Sequence, residues 1–365
     1  MPKRKVAIFI VATLLVSIFN PVASQAAAKN CKDVGSYKLQ TPSIFKCVKK
    51  GKFTSWVSLG EFPSNFEQLA AKSNLTPIKV WLDGQNLLTK AELRTNFEIK
   101  IGPNTKFPNN RVDHKITLSN ASGYWKNFNQ PVKTEVFFFN QVDLPWVSQE
   151  LINLNGSWFK PSDLEANCAN LNNCGAFGGT YNGVGQLFEG VNSVSNGSDP
   201  QLIGHSEFHE FTHVVQTAQF TQNKTINGYG LIPCWISEGQ PQVAGYTATS
   251  KNLKEYISFR KIWLKKKPGP FGDYSQSGIL NFLENAGEPR AGKCTDSYRS
   301  YVYGLGFLLV ESLAANGGIE KTMTLISDLA KTGNFESSFQ KVYGTDWSIA
   351  KKDLAASVAK QYATN

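Results

Sequence analysis

The sequence predicts a mixed α+β protein with a sheet-rich first half and a mostly helical second half. Three observations carry this. Thr134–Asn140 (TEVFFFN) is a short aromatic and branched run that reads as a buried strand. Gly178–Asn192 is punctuated by glycine and has strand character at Gln186–Glu189. Beyond residue 199 the chain reads as helix after helix, at roughly 235–248, 252–266, 273–286, 299–315 and 318–331, with no strand pattern.

At the N-terminus, Lys3, Arg4 and Lys5 precede an apolar run from Val6 to Phe19, then Pro21 and the small residues Ala26–Ala28. A basic start, an apolar core and a small-residue cleavage site make residues 1–28 read as a signal peptide. The apolar run has 14 residues, short of the roughly 20 needed to span a bilayer as a helix. No later stretch is long and apolar enough to span, so the expected mature protein is secreted or held at the cell envelope, without a transmembrane segment. Cys31, Cys47, Cys168, Cys174, Cys234 and Cys294 all lie beyond the signal. An even number of cysteines in an exported chain implies disulfides, and six allow fifteen pairings. Proximity in sequence favours Cys31–Cys47 and Cys168–Cys174, leaving Cys234–Cys294.

Three of the 38 basic residues fall within the first 28, leaving 35 against 28 acidic ones, a net charge of +7. Mild basicity suits an anionic cell-envelope polymer as a neighbour but names no partner. No nucleic-acid-binding module is present, and export makes that partner improbable. The densest basic run, Lys251–Lys267, also carries Leu253, Tyr256, Ile257, Ile262 and Trp263, so it reads as a helix with a solvated basic face.

Residues 29–62 form a small appendage, too short for a core without the Cys31–Cys47 staple. It serves either as a pinned extension or as a cell-surface contact. The catalytic unit spans 63–365, with a sheet-rich part over 63–155 and the catalytic part over 156–365. Within it Phe66–Ser73, Thr89–Thr95 and Leu144–Leu154 read as helical. The Gln186–Glu189 strand lies just upstream of the motif helix. It is either an edge on which an extended peptide pairs its backbone or part of a structural hairpin.

The chemistry is concentrated in His209-Glu210-Phe211-Thr212-His213, in a chain with four histidines, the others being His114 and His205. On a helix, residues four apart share a face, so both imidazoles reach one ion. The HExxH pattern supplies two zinc ligands, with Glu210 as general base for a zinc-activated water. Asp199 as a cap and Pro200 at the first helical position predict the helix start. Leu202, Phe208, Phe211, Val214, Val215 and Ala218 predict that the helix is buried. His205 lies one turn before His209, as a residue behind the ligands, in the cleft, or simply near the helix start. Glu207 has no predicted role, and His114, among polar residues, reads as a surface histidine.

A catalytic zinc site needs a third protein ligand. Downstream stands Pro233-Cys234-Trp235-Ile236-Ser237-Glu238-Gly239. An HExxH helix followed 20–30 residues later by W-x-x-E-G resembles the gluzincin metallopeptidases, in particular their secreted peptidase-MA-like branch. The likeness continues in Tyr303-Gly304-Leu305-Gly306 with its apolar sequel, in Gly317-Gly318, and in Gly344-Thr345-Asp346-Trp347, and covers roughly residues 130–360. It implies a zincin-like fold with an edge strand over the HExxH helix. It also implies Zn2+ held by His209, His213 and Glu238, and Glu210 as base. The residue implied as oxyanion donor is Tyr303, with Tyr301 as the alternate. One departure stands out. Gln240-Pro241-Gln242 follows Glu238-Gly239, and proline belongs in a helix's first turn, so Glu238 is expected at or just before a helix start.

The expected activity is therefore zinc-dependent hydrolysis of protein or peptide substrates. Two alternatives remain: an exported binding protein on a zincin-like fold with structural or no zinc, and a zinc hydrolase of a non-protein cell-wall amide.

Overall fold

A computed structural model describes residues 30–364 apart from 110, 155, 193–200, 222–227, 266–271 and 286–298. The expected signal peptide, Asp199, Pro200, Lys266, Lys267 and Cys294 all lie outside the described residues.

Three strands come first: β1 (Tyr37–Gln40), β2 (Ser43–Lys50) and β3 (Phe53–Glu61). Residues 30–36 with 46–57 form a small unit of their own, closed by the Cys31–Cys47 disulfide and by a hydrogen bond from Thr54 Oγ1 to the Cys31 carbonyl. The body comprises residues 37–45 and 58 onward. It continues with α1 (Thr76–Thr89), β4 (Asn96–Ile101), α2 (His114–Tyr124), β5 (Lys133–Phe139), α3 (Leu144–Asn153) and α4 (Pro161–Ala166). A short ribbon of β6 (Cys168–Asn170) and β7 (Asn173–Cys174), tied by Cys168–Cys174, leads into the hairpin β8 (Ala176–Tyr181) and β9 (Val184–Gly190). The rest is helical: α5 (His205–Ala218), α6 (Cys234–Thr249), α7 (Leu253–Trp263), α8 (Gln276–Asn285), α9 (Arg299–Gly317), α10 (Ile319–Thr332), α11 (Phe335–Tyr343) and α12 (Trp347–Ala363). A strand-bearing first half and a helical second half are thus as the sequence predicts.

Two of the sequence's helices are misplaced. Phe66–Ser73 contains only a 3-10 turn at Phe66–Gln68, capped by the Asn65 side chain, and the next full helix is Thr76–Thr89, opened by Pro77 in its first turn. Of Thr89–Thr95, Thr89 ends that helix and the rest is the connection into β4. Its apolar residues are too few to give it a buried face. Later helix boundaries follow local chemistry: the Asn252 and Asn334 side chains accept from Glu255 and Ser337 N–H, and left-handed Gly333 and Gly344 end α10 and α11.

The main sheet has the order β4-β5-β9-β8, with β4, β5 and β9 parallel and β8 antiparallel to β9. β5 is buried on both faces, which is why it reads as a continuous apolar run. Val136 and Phe138 join the core shared with α2 and α5, while Phe137 and Phe139 pack with Val147, Leu151, Leu164 and Phe188 on the opposite face. β8 and β9 are joined by Asn182-Gly183, both at positive φ (49° and 80°), which closes a two-residue hairpin.

This topology corrects the edge assignment. The Gln186–Glu189 segment lies inside the sheet, between β5 and β8, and the edge strands are β4 and β8, of which β8 lies against α5. The Thr180 N–H donates to Thr217 Oγ1 (2.7 Å) and its carbonyl accepts from Trp158 Nε1 (2.9 Å), so Thr180 faces away from β9. By the alternation of an antiparallel ladder, Ala176 and Gly178 point their backbone groups to the same side. Among the described residues nothing hydrogen-bonds to them there.

In the helical half, α6 and α9 make the closest approach. A Cβ on Gly239 would stand 2.2 Å from the Gly306 carbonyl oxygen, and one on Gly306 would stand 2.6 Å from that of Trp235. Gly306→Ala must push two backbones apart, and such overpacking costs about 1–3 kcal/mol. Urea unfolding of the purified variant measures it. Among the described residues no single helix is long and apolar enough to cross a membrane.

Candidate metal centre

The motif helix α5 begins at His205, behind Gly204 at φ 78°. That is later than the sequence suggested, because a residue in the left-handed region breaks the helical path. Gly204 also has no room for a side chain, since a Cβ would lie 2.5 Å from Thr117 Oγ1 of α2. Farther along, Thr212 Oγ1 accepts from Trp125 Nε1 (3.0 Å), pinning the helix to the end of α2. On its other side α5 lies against β8. A Cβ on Gly178 would meet the Glu210 carbonyl oxygen at 2.0 Å, so only glycine lets the strand approach this closely.

His209 and His213 project from one face of α5, both 5% exposed, and Glu238 reaches them from α6. Their Nε2 atoms are 3.1 Å apart, and each is 3.5 Å from Glu238 Oε2. One ligand atom from each residue falls within 4.8 Å of the other two. An ion bound tetrahedrally at about 2.0–2.1 Å sets its ligand atoms about 3.3 Å apart. The observed separations bracket that spacing, so the residues fit such an ion. Glu238 Oε2 is buried and, among the described residues, has no hydrogen-bond donor within bonding geometry, as suits an atom kept for a metal.

Glu238 is the fifth residue of α6, not a residue before its start. The helix runs straight through Pro241, whose missing N–H removes the helical donor to the Ser237 carbonyl. Gln216 Nε2 of α5 donates to that carbonyl instead (3.2 Å). Sequence reasoning missed Gln216, although its spacing of three from His213 puts both on one helical face.

Without a metal, His213 and Glu238 form a charged pair. Burial lowers the His213 imidazole's affinity for protons, but the Glu238 carboxylate, with help from Glu210 and Gln216, outweighs it and pushes the pKa up to about 9. Burial works to raise Glu238, and the two histidines more than reverse this, holding it well below the usual carboxylate range. The sign follows for metal-free protein. A folded pKa above the ordinary histidine value of 6.5 stabilises fully below pH 6.5 and is lost as pH rises through about 9. The depressed Glu238 stabilises above its ordinary 4.5 and loses this as pH falls below it. Chelator-treated protein is therefore expected to lose thermal stability from pH 6.5 to 9, and Glu238→Gln is expected to remove most of that slope in a calorimetric series.

The other predicted residues sort clearly. Glu210 is half-buried beside the cluster, its carboxylate close enough to raise His213 and Glu189 electrostatically. The Tyr303 ring stacks over His209 with centroids 6.1 Å apart, whereas Tyr301 is 4% exposed within the hydrophobic core. Of the two tyrosines, Tyr303 is the one at the site. His205 is buried beside His209, with ring centroids 5.7 Å apart, its ring 3.9 Å from that of Tyr246 and its Nε2 where a Gly245 side chain would be. Burial, then His209, holds its pKa well below the ordinary value. His114 is not a surface residue: it opens α2, half-buried, with its ring 4.9 Å from both Phe107 and Phe138. Glu207, given no role from sequence, is fully buried and accepts from Arg111 at 2.6 Å, with Glu189 on the same guanidinium at 3.3 Å. Burial, then the Glu207 carboxylate, pushes Glu189 well above its usual range despite Arg111.

Cys234, which opens α6, is disulfide-bonded, and the expected Cys234–Cys294 pairing falls outside the described residues. No family model, no curated protein and no solved structure matches this chain.

Proposed function

We propose that this protein is an exported zinc-dependent peptidase with a zincin-like arrangement of edge strand and HExxH helix. The observation that carries the reading is the convergence of His209, His213 and Glu238 beside Glu210, on a helix lying against an open strand edge. Two imidazoles and one carboxylate suit Zn2+, and three protein ligands leave a position for water. Zinc held there supplies a Lewis acid that polarises a carbonyl and acidifies a water.

The chain's own residues do the rest. The N–H and carbonyl groups of Ala176 and Gly178 pair with an extended peptide, so the substrate adds a strand to β8. Glu210 takes a proton from the attacking water and returns it to the leaving amine. The Tyr303 hydroxyl donates to the oxygen on which charge develops. The open backbone groups of Ala176 and Gly178 favour a peptide over a cell-wall amide, because the N–H and carbonyl groups of an extended polypeptide answer both.

Purified secreted protein incubated with a mixed peptide library should produce discrete cleavages. These should vanish with 1,10-phenanthroline and return on addition of zinc. Cleavage that persists after complete metal removal contradicts the proposal.

A further inference from the structure

The ligand helices α5 and α6 are joined behind the metal cluster by one buried side chain. Gln216 is 0% exposed. Its Nε2 donates both hydrogens, to the Ser237 carbonyl (3.2 Å) and to Gln240 Oε1 (2.8 Å). Its Oε1 lies 2.9 Å from His213 Nδ1. Gln240 in turn donates to Thr322 Oγ1 of α10 (2.7 Å), which donates to the Ile319 carbonyl (2.7 Å).

The direction of this chain is fixed at one end. A backbone carbonyl only accepts, so the Gln216 amide must turn its nitrogen toward Ser237 and its oxygen toward His213. His213 Nδ1 must then carry a proton, so the proton that an ion at the cluster would displace is the one on Nε2, the nitrogen that faces His209 and Glu238. The carbonyl that sets this order is the one from which Pro241 removes the helical donor. A proline that looks like a defect in the ligand helix thereby calls for the donor that orients the ligand.

We infer that Gln216 is a positioning residue for the metal site, linking the Ser237 carbonyl to His213 so that the histidine presents Nε2 to the ion. The inference rests on the zinc-peptidase reading above. Partners that orient metal-bound histidines commonly contribute 10–100-fold to metal affinity.

The test is competition for zinc against a chromogenic chelator, run on the parent, Gln216→Met and Gln216→Glu. Near-ultraviolet circular dichroism checks that each is folded. Methionine fills the space but neither accepts nor donates, and zinc affinity should fall by about 10–100-fold. Glutamate keeps the acceptor for His213 and should bind zinc more tightly than the methionine variant. In zinc-loaded parent, nuclear magnetic resonance should show a His213 Nδ1 proton protected from exchange, present in the glutamate variant and lost in the methionine one. Unfolding supplies the proline arm: Gln216→Met should destabilise less in a Pro241→Ala background, where residue 241 again donates to Ser237. Parental zinc affinity in folded Gln216→Met, or strictly additive effects of the two substitutions, overturns the inference. A parent that binds no zinc removes the peptidase reading, and the inference with it.

Discussion

Glu210→Gln should retain zinc and lose nearly all peptide hydrolysis. The substitution keeps the size and polarity of the side chain and touches none of the three ligand atoms, which come from His209, His213 and Glu238. It removes the one group placed to accept the water's proton, because an amide oxygen is far too weak a base. Positioned general acid–base groups contribute about 10²–10⁴-fold, so kcat/KM should drop by at least that range. The proposed mechanism uses Glu210 twice, as base and then as acid, which places the expectation toward the upper end. KM should change little, since the proposal assigns the substrate backbone to Ala176 and Gly178 rather than to the carboxylate. A variant that loses zinc along with activity would make Glu210 structural. A variant that keeps most of its activity would place the base elsewhere.

Much of this site was legible in the sequence because helices obey a short period. His209 and His213 are one turn apart on any α-helix, so their convergence needs no knowledge of the fold. The strand at Thr134–Asn140 was legible for a related reason, since a central parallel strand buries both faces and shows an unbroken apolar run. Glycines also carried more than was apparent. Gly239, beside the third ligand, is there because the Gly306 carbonyl would overlap its Cβ at 2.2 Å.

What the sequence hid was set by partners distant along the chain. Pro241 argues locally for a helix start, and local reasoning puts Glu238 outside the helix. The observed helix continues because Gln216, from another element, takes over the carbonyl that the proline deprives of its donor. The edge of the sheet was hidden as well. Only Gln186–Glu189 reads as strand from the sequence, and the pairing of β9 with both β5 and β8 is what makes it internal and leaves β8 at an edge. Buried charges were equally illegible: nothing near Glu207 in sequence gives it a role, and its partner Arg111 lies 96 residues away. His114 was misread because Phe107 and Phe138, which pack with it in a three-ring cluster, come from separate segments.

The most direct test of the account is the zinc content, by elemental mass spectrometry, of the parent protein beside Glu238→Ala. Glu238 is the one ligand that comes from α6, and its Oε2 stands 3.5 Å from both histidine nitrogens. Removing it leaves two imidazoles on one helix, too few for a tetrahedral protein site with a single open position. The account predicts about one zinc per chain in the parent and a sharp loss in the variant after dialysis against a weak chelator. Undiminished zinc in Glu238→Ala, or none in the parent after reconstitution, would contradict it.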